Sequence, residues 1–196
     1  MPAFRFGVAA ALRSARRTSL SRSVPDAAVS CIWHGTMFSS IVPVDYYAGN
    51  FRQNDTSRPC LQMNVAVGNC MGTPYSLVPQ AAEDLFHWIG REIDSLRHRW
   101  DGLPPERRVA MAACLLGTFA GHFIKVHPFI NGNGRTSRLL LAWGMMYFGF
   151  RPPLRVNIRP PGSTYSEIMA KAMEGNYLPL QQFLLQCMAC DCGLTR

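Results

Sequence analysis

The chain has 196 residues, 48% hydrophobic and 16% charged, a balance that fits one globular domain with a real core and excludes intrinsic disorder. Seven scattered cysteines make no secreted disulfide framework. The net charge of +8 suggests a nucleic-acid binder until it is located: Arg5, Arg13, Arg16, Arg17 and Arg22 lie in an acid-free stretch of 25 residues, and the other 15 basic residues face 12 acids. No basic stripe with interleaved aromatics follows, so nucleic acid is not the expected partner.

Residues 1–30 read as a disordered basic tail ahead of a single domain over 31–196. An Arg-rich, acid-free start also has the composition of a mitochondrial transit peptide. Residues 32–44 are apolar, and an irregular stretch with Tyr46, Tyr47, Gly49 and Phe51 follows. The β-branched alternation over 64–68 predicts one strand of a short hairpin. Pro79 introduces a helix carrying Leu85, Trp88, Ile89, Leu96 and Trp100 at helical spacing. Pro104 and Pro105 open a second, nearly all-apolar helix over about 109–125. A third runs from the loop after His127 to Phe148, with Gly149 at its C-terminal cap and Pro152–Pro153 as the stop. The apolar runs 109–124 and 139–150 are short for a bilayer span and read as buried helices, so no membrane is expected. Thr164 and Glu167 have capping-box spacing ahead of another helix, and a last amphipathic helix follows Pro179. The expected fold class is all-α with one small β-hairpin. Cys187, Cys190 and Cys192 form a C-x-x-C-x-C cluster near the C-terminus, but zinc needs a fourth ligand and ordinary thiols are the expectation.

The stretch His127-Pro128-Phe129-Ile130-Asn131-Gly132-Asn133-Gly134-Arg135-Thr136-Ser137-Arg138 joins two apolar helices through a Gly/Asn-rich loop. Gly132 and Gly134 let a ligand approach the main chain closely. The N–H groups and dipole at the next helix N-terminus make an anion site. Arg135 and Arg138 stand three apart on one helix face, a pair suited to a di- or triphosphate. His127 is the nearby side chain whose ordinary pKa suits a general base. The spacing is not that of a P-loop, and no strand precedes it.

These residues closely resemble the Fic motif, H-P-F-x-[D/E]-G-N-G-R-x-x-R, at eight of its nine specified positions. The likeness runs from about Ile32 to Met188, through Ala48-Gly49-Asn50-Phe51-Arg52 and Val65-Ala66-Val67-Gly68 upstream and Tyr165, Gly175, Asn176 and Pro179 downstream. It implies a protein adenylyltransferase with ATP as the nucleotide. His127 would deprotonate a Ser, Thr or Tyr hydroxyl of a target protein, and Gly132, Asn133 and Gly134 would hold phosphates. Arg135 and Arg138 would bind the β- and γ-phosphates, and the flap at Asn64, Val65, Ala66 and Val67 would dock the target strand to strand. The expected location is cytoplasmic, with mitochondria or export as an effector as the alternatives. Gly134 matches the adenylylating pattern rather than the Lys of the phosphorylating toxin branch.

Asn131 stands where the family places an Asp or Glu that holds Mg²⁺. A neutral amide oxygen is a weaker ligand for that hard cation. A slow transferase, altered chemistry and a nucleotide-binding pseudoenzyme all follow from that exchange, residual transfer being the preferred reading. Many relatives carry an inhibitory [S/T]-x-x-x-E-[G/N] segment. Here Ser163 and Glu167 are followed by Ile168, and Glu174-Gly175 lacks the upstream hydroxyl. With little room for an inhibitory helix near the N-terminus, the inhibitor is expected to be absent or supplied by a separate, antitoxin-like protein. Tyr165 reads as a core residue or as a wall of the base pocket.

Overall fold

A computed structural model describes residues 2–152 and 163–193. Its described elements are seven α-helices, three single 3₁₀ turns and one two-stranded hairpin, which is the all-α class with a small β element that the sequence predicts. Two helices form the centre. The first, α4 (Pro105–Val126), packs against α3 (Val78–Trp100), α5 (Asn133–Tyr147), α6 (Ser163–Met173) and α7 (Leu178–Asp191). The second, α5, is covered by α4 on one side and by α1 (Pro2–Leu20) on another. Nearly every side chain from Leu139 to Met145 is buried, and a helix that is apolar all round must be enclosed.

The backbones approach closely where glycines face the neighbouring helix. A Cβ at Gly144 would meet the Leu116 side chain at 2.3 Å, and one at Gly117 would meet the Gln181 backbone at 2.8 Å. The end of α5 follows the glycine expectation in detail. Gly149 takes φ 87°, the Phe150 N–H donates to Met145 O and the Gly149 N–H to Met146 O, the two bonds of a Schellman ending.

The described residues of the 1–30 stretch, from Pro2 on, are not a disordered tail. Pro2–Leu20 form α1, and Ala27–Phe38 form α2, capped by the Asp26 carboxylate, which accepts from the Val29 N–H at 2.7 Å. On α1, Val8, Ala11, Ala15 and Ser19 are buried at helical spacing, and its arginines point away from that stripe. The stripe is made of small residues, so it carried little hydrophobic signal beside five arginines. The segment is also tied down by polar contacts. Trp33 Nε1 donates to Ser14 Oγ at 3.1 Å, Trp143 Nε1 donates to Ser23 O at 3.2 Å, and Arg22 donates to Tyr147 O.

Three smaller readings also change. At 22 residues α4 is long and apolar enough to cross a membrane by length and composition, yet four helices cover it in this fold. Thr164 lies inside α6, which begins at Ser163, so it is not the N-cap. The hairpin strands are only two residues each, β1 (Ala66–Val67) and β2 (Cys70–Met71), antiparallel with Ala66 opposite Met71. Pro153 and the 153–162 stretch lie outside the described residues.

If α1 is a structural layer, a charge in its buried stripe must destabilise the whole domain. Ala15→Asp should lower the unfolding free energy by roughly 3 kcal/mol, read by urea denaturation. A loose tail would give no change.

Candidate active site

The site is built where α4 ends and α5 begins. His127 closes α4 in the left-handed conformation (φ 51°, ψ 58°), costly for a residue with a side chain. Its own N–H still donates to Phe123 O at 3.0 Å, and its carbonyl receives the Arg52 Nε–H at 2.9 Å. After a short reversal Gly132 (φ 83°) opens α5. A Cβ there would strike the Phe38 ring at 2.6 Å and His34 Nε2 at 2.9 Å, so only glycine fits the turn.

Between these two left-handed points, Asn133 folds the loop. Its Oδ1 accepts from the Phe129 N–H at 2.9 Å and its Nδ2 donates to Phe129 O at 2.8 Å. The side chain is buried and bonded through both its oxygen and its nitrogen to the main chain of Phe129, so it holds the loop in shape. The N–H groups of Arg135 and Thr136 both donate to Gly132 O at 3.0 Å. Those of Asn133 and Gly134 come before the first intrahelical donor and remain directed outward at the positive end of α5. Arg138, also buried, folds back over this turn: one of its terminal nitrogens would be 3.6 Å from a Cβ on Gly134. Beside Arg138 lies Tyr165, whose phenol is pushed up by burial.

Arg135 points differently. Its guanidinium carbon is 5.0 Å from the Phe4 ring centre and 5.9 Å from that of Phe38, and its buried Nε has no hydrogen-bond partner among the described residues. It borders a cavity of about 230 Å³ whose walls include Phe38, Val42, Tyr47 and Asn131. The two arginines of the motif thus have distinct surroundings, one against the helix terminus and one against aromatic rings of α1 and α2.

The His127 ring is held by one contact. Nδ1 lies 3.2 Å from Ile124 O, which can only accept, so Nδ1 carries the proton and Nε2 keeps its lone pair. Burial pushes its pKa below the usual histidine value; the Ile124 carbonyl opposes this and the Arg52 charge adds to it. The ring is neutral at pH 7.

Three supporting residues were not assigned roles from the sequence. His34 on α2 stacks on Phe129 with centroids 3.8 Å apart, accepts the Gly49 N–H at Nδ1 (3.0 Å) and donates Nε2–H to Asn131 O (3.0 Å). Burial lowers its pKa to about 4, against the small opposing pull of the Asn131 carbonyl. Arg52 is wholly buried, its pKa lowered to about 10 by desolvation, and its guanidinium bonds only to main-chain oxygens. Gly72 sits against His127. The one sequence hint was an arginine and a histidine inside otherwise apolar or small-residue segments.

Asn131 has an exposed side chain whose Oδ1 accepts from the Gly132 N–H at 2.7 Å. A neutral oxygen already in use, with no group of three His, Cys, Asp or Glu near it or elsewhere among the described residues, does not fit a divalent cation held by the protein. Cys187, Cys190 and Cys192 likewise form no metal cluster among the described residues. The flap residues Val65, Ala66 and Val67 line the hairpin, the last two exposed, while the Asn64 side chain accepts the Tyr75 N–H at 3.0 Å and secures the hairpin's base.

Residues 26–144 match the family model described as the Fic/DOC family. A Drosophila virilis protein named protein adenylyltransferase Fic is 33% identical over 101 residues, 52% of this chain and 18% of that protein. The chain thus spans less than a fifth of that relative's length. Among solved structures, a Fic domain containing signaling protein from Bacteroides thetaiotaomicron superposes with a TM-score of 0.69 at 18% identity, covering 98% of this chain and 70% of the other. BepC of Bartonella tribocorum, solved with bound AMPPNP, gives 0.54 at 15% identity, covering 92% and 83%.

The pH dependence of stability tests the His34 contacts. An unfolded histidine binds a proton below pH 6.5 and the folded one only below about 4. The unfolded state therefore takes up more protons between these values, and stability is complete above 6.5 and falls as pH drops towards 4. The loss should be about 3 kcal/mol, and His34→Gln should flatten that part of the denaturation-versus-pH curve.

Proposed function

The chain belongs to the Fic/DOC family, and from that premise we propose that it is a protein adenylyltransferase, moving AMP from ATP to a Ser, Thr or Tyr hydroxyl of a target protein. The observation that carries this reading is the lone pair of His127 Nε2, fixed by the Nδ1–Ile124 contact, beside the open N-terminus of α5 with Arg138 folded over it. The adenylyltransferase name of the Drosophila relative and the ATP analogue bound by BepC support the same chemistry.

The groups act as follows. The target hydroxyl donates its proton to His127 Nε2 while its oxygen bonds to the α-phosphorus of ATP. The bond from that phosphorus to the bridging oxygen breaks, and pyrophosphate leaves. The N–H groups of Asn133 and Gly134 and the α5 dipole hold the negative phosphoryl oxygens. Arg138 offsets charge growing on the leaving group, and Arg135 adds to this once its guanidinium turns from Phe4 and Phe38 towards the phosphates. The exposed main chain of β1 supplies the edge on which an extended target segment adds as a third strand. A separate inhibitory protein would bind over the same phosphate site.

A second reading has its own observation. Asn131 removes the one carboxylate of the motif and leaves the anion site intact, which suits a protein that binds a nucleotide without transferring it.

The two are separated by α-³²P-ATP incorporation into the protein itself and into a lysate. The wild type should label slowly, Asn131→Asp at least about tenfold faster, and His127→Ala not at all. The wild-type rate should fall only at pH values below the ordinary histidine range, because burial lowers the His127 pKa and protonation there removes the base. Label on Asn131→Asp alone would identify a nucleotide-binding domain with a dormant catalytic scaffold. No label on any variant, with ATP still bound, would remove the transferase reading.

A further inference from the structure

Arg52 lies in the irregular segment ahead of the hairpin and is completely buried. Its guanidinium serves two places at once. Towards the catalytic loop it donates to His127 O (2.9 Å) and Val126 O (3.0 Å). Towards the hairpin it donates to Met63 O (3.0 Å) and Thr73 O (2.8 Å), which flank the two feet of β1 and β2. The Arg52 main-chain N–H adds a bond to Pro128 O at 2.8 Å. The hairpin also touches the base directly. Gly72, whose N–H donates to Val65 O at 3.0 Å, lies so close that a Cβ on it would be 3.0 Å from His127 Cβ and 3.3 Å from a terminal nitrogen of Arg52.

From this joint we infer that Arg52 is a positioning residue that makes the hairpin and His127 one mechanical unit, so that seating of the flap sets the ring of the base. The guanidinium is a flat, rigid fork, and its donors keep fixed directions relative to one another. Moving the hairpin feet either breaks two charge-assisted bonds inside the protein or carries the fork with them. Breaking them leaves the guanidinium of a wholly buried arginine short of two of its four acceptors, so the fork moves. The fork in turn holds the carbonyls on either side of the left-handed turn at His127, and that turn directs the imidazole. An extended segment docked on β1 would then not only deliver a hydroxyl but also fix the base that receives its proton. This rests on reading His127 as the base and β1 as the docking edge.

The test needs no turnover. ¹⁵N-labelled histidine gives the His127 tautomer, and amide exchange at Gly72 gives the opening of the hairpin, in wild type, Arg52→Lys, Arg52→Met and Gly72→Ala. Lysine keeps the charge but is a single point on a flexible stem and cannot span both sides. In Arg52→Lys the Gly72 amide should exchange at least about tenfold faster, and the Nδ1–H tautomer of His127 should lose its dominance in the same sample. Gly72→Ala, with Arg52 intact, should shift the His127 ring resonances by crowding alone. If Arg52→Met does not fold, Arg52→Lys still decides. A loosened hairpin with an unchanged His127 tautomer would overturn the inference, as would a wild-type His127 with no dominant Nδ1–H form. With an Asn131→Asp background that transfers label, Arg52→Lys should raise KM for the protein target more than KM for ATP. A background that transfers nothing counts against the transferase reading and leaves the tautomer result to stand.

Discussion

The amide of Asn133, paired both ways with the main chain of Phe129, is the contact on which the site depends. It closes a reversal between two helices that are both buried, where water cannot satisfy the main chain. Losing it would leave an N–H and a carbonyl without partners inside the protein. It also seats Phe129, fully buried, against His34 at 3.8 Å and Phe51 at 5.0 Å between ring centres. The loop is thereby held from below by aromatic packing and from within by one side chain. Its outer surface, with the first N–H groups of α5, is what remains for a ligand.

The charges around this loop share one sign. Arg52 stands behind His127, Arg138 over Gly134 and Arg135 at the neighbouring cavity, and the positive end of α5 points the same way. Asn131 puts no carboxylate among them. An imidazole in such company stays neutral, because burial and a nearby cation both disfavour a second positive charge. The same cluster of positive charge that would favour an anion therefore also holds the His127 ring neutral.

The N-terminal helix belongs to this site as much as to the core. Its buried stripe covers α5, and its first turn brings Phe4 over the guanidinium of Arg135. An element that looked separable thus shapes one of the two motif arginines. The Arg135 Nε, buried beside those rings, has no hydrogen-bond partner among the described residues.

The sequence by itself determined what is local. Helical spacing with Pro and Gly punctuation located α3, α4, α5 and α7, because these signals act within a turn or two of the chain. The twelve-residue motif identified the family, because its glycines, asparagines and arginines constrain one loop and one helix start. Only the tertiary structure decided that α1 is a packed layer, since alanine and serine at a helix face show their burial only when a partner helix is in place. It alone tied the Asn133 amide to the main chain of Phe129, and placed Arg135 among aromatic rings. Arg52 and His34 reach main-chain atoms 75 and 97 residues away. A backbone carbonyl is the same in every residue, so a side chain that binds one leaves no partner in the sequence to be found.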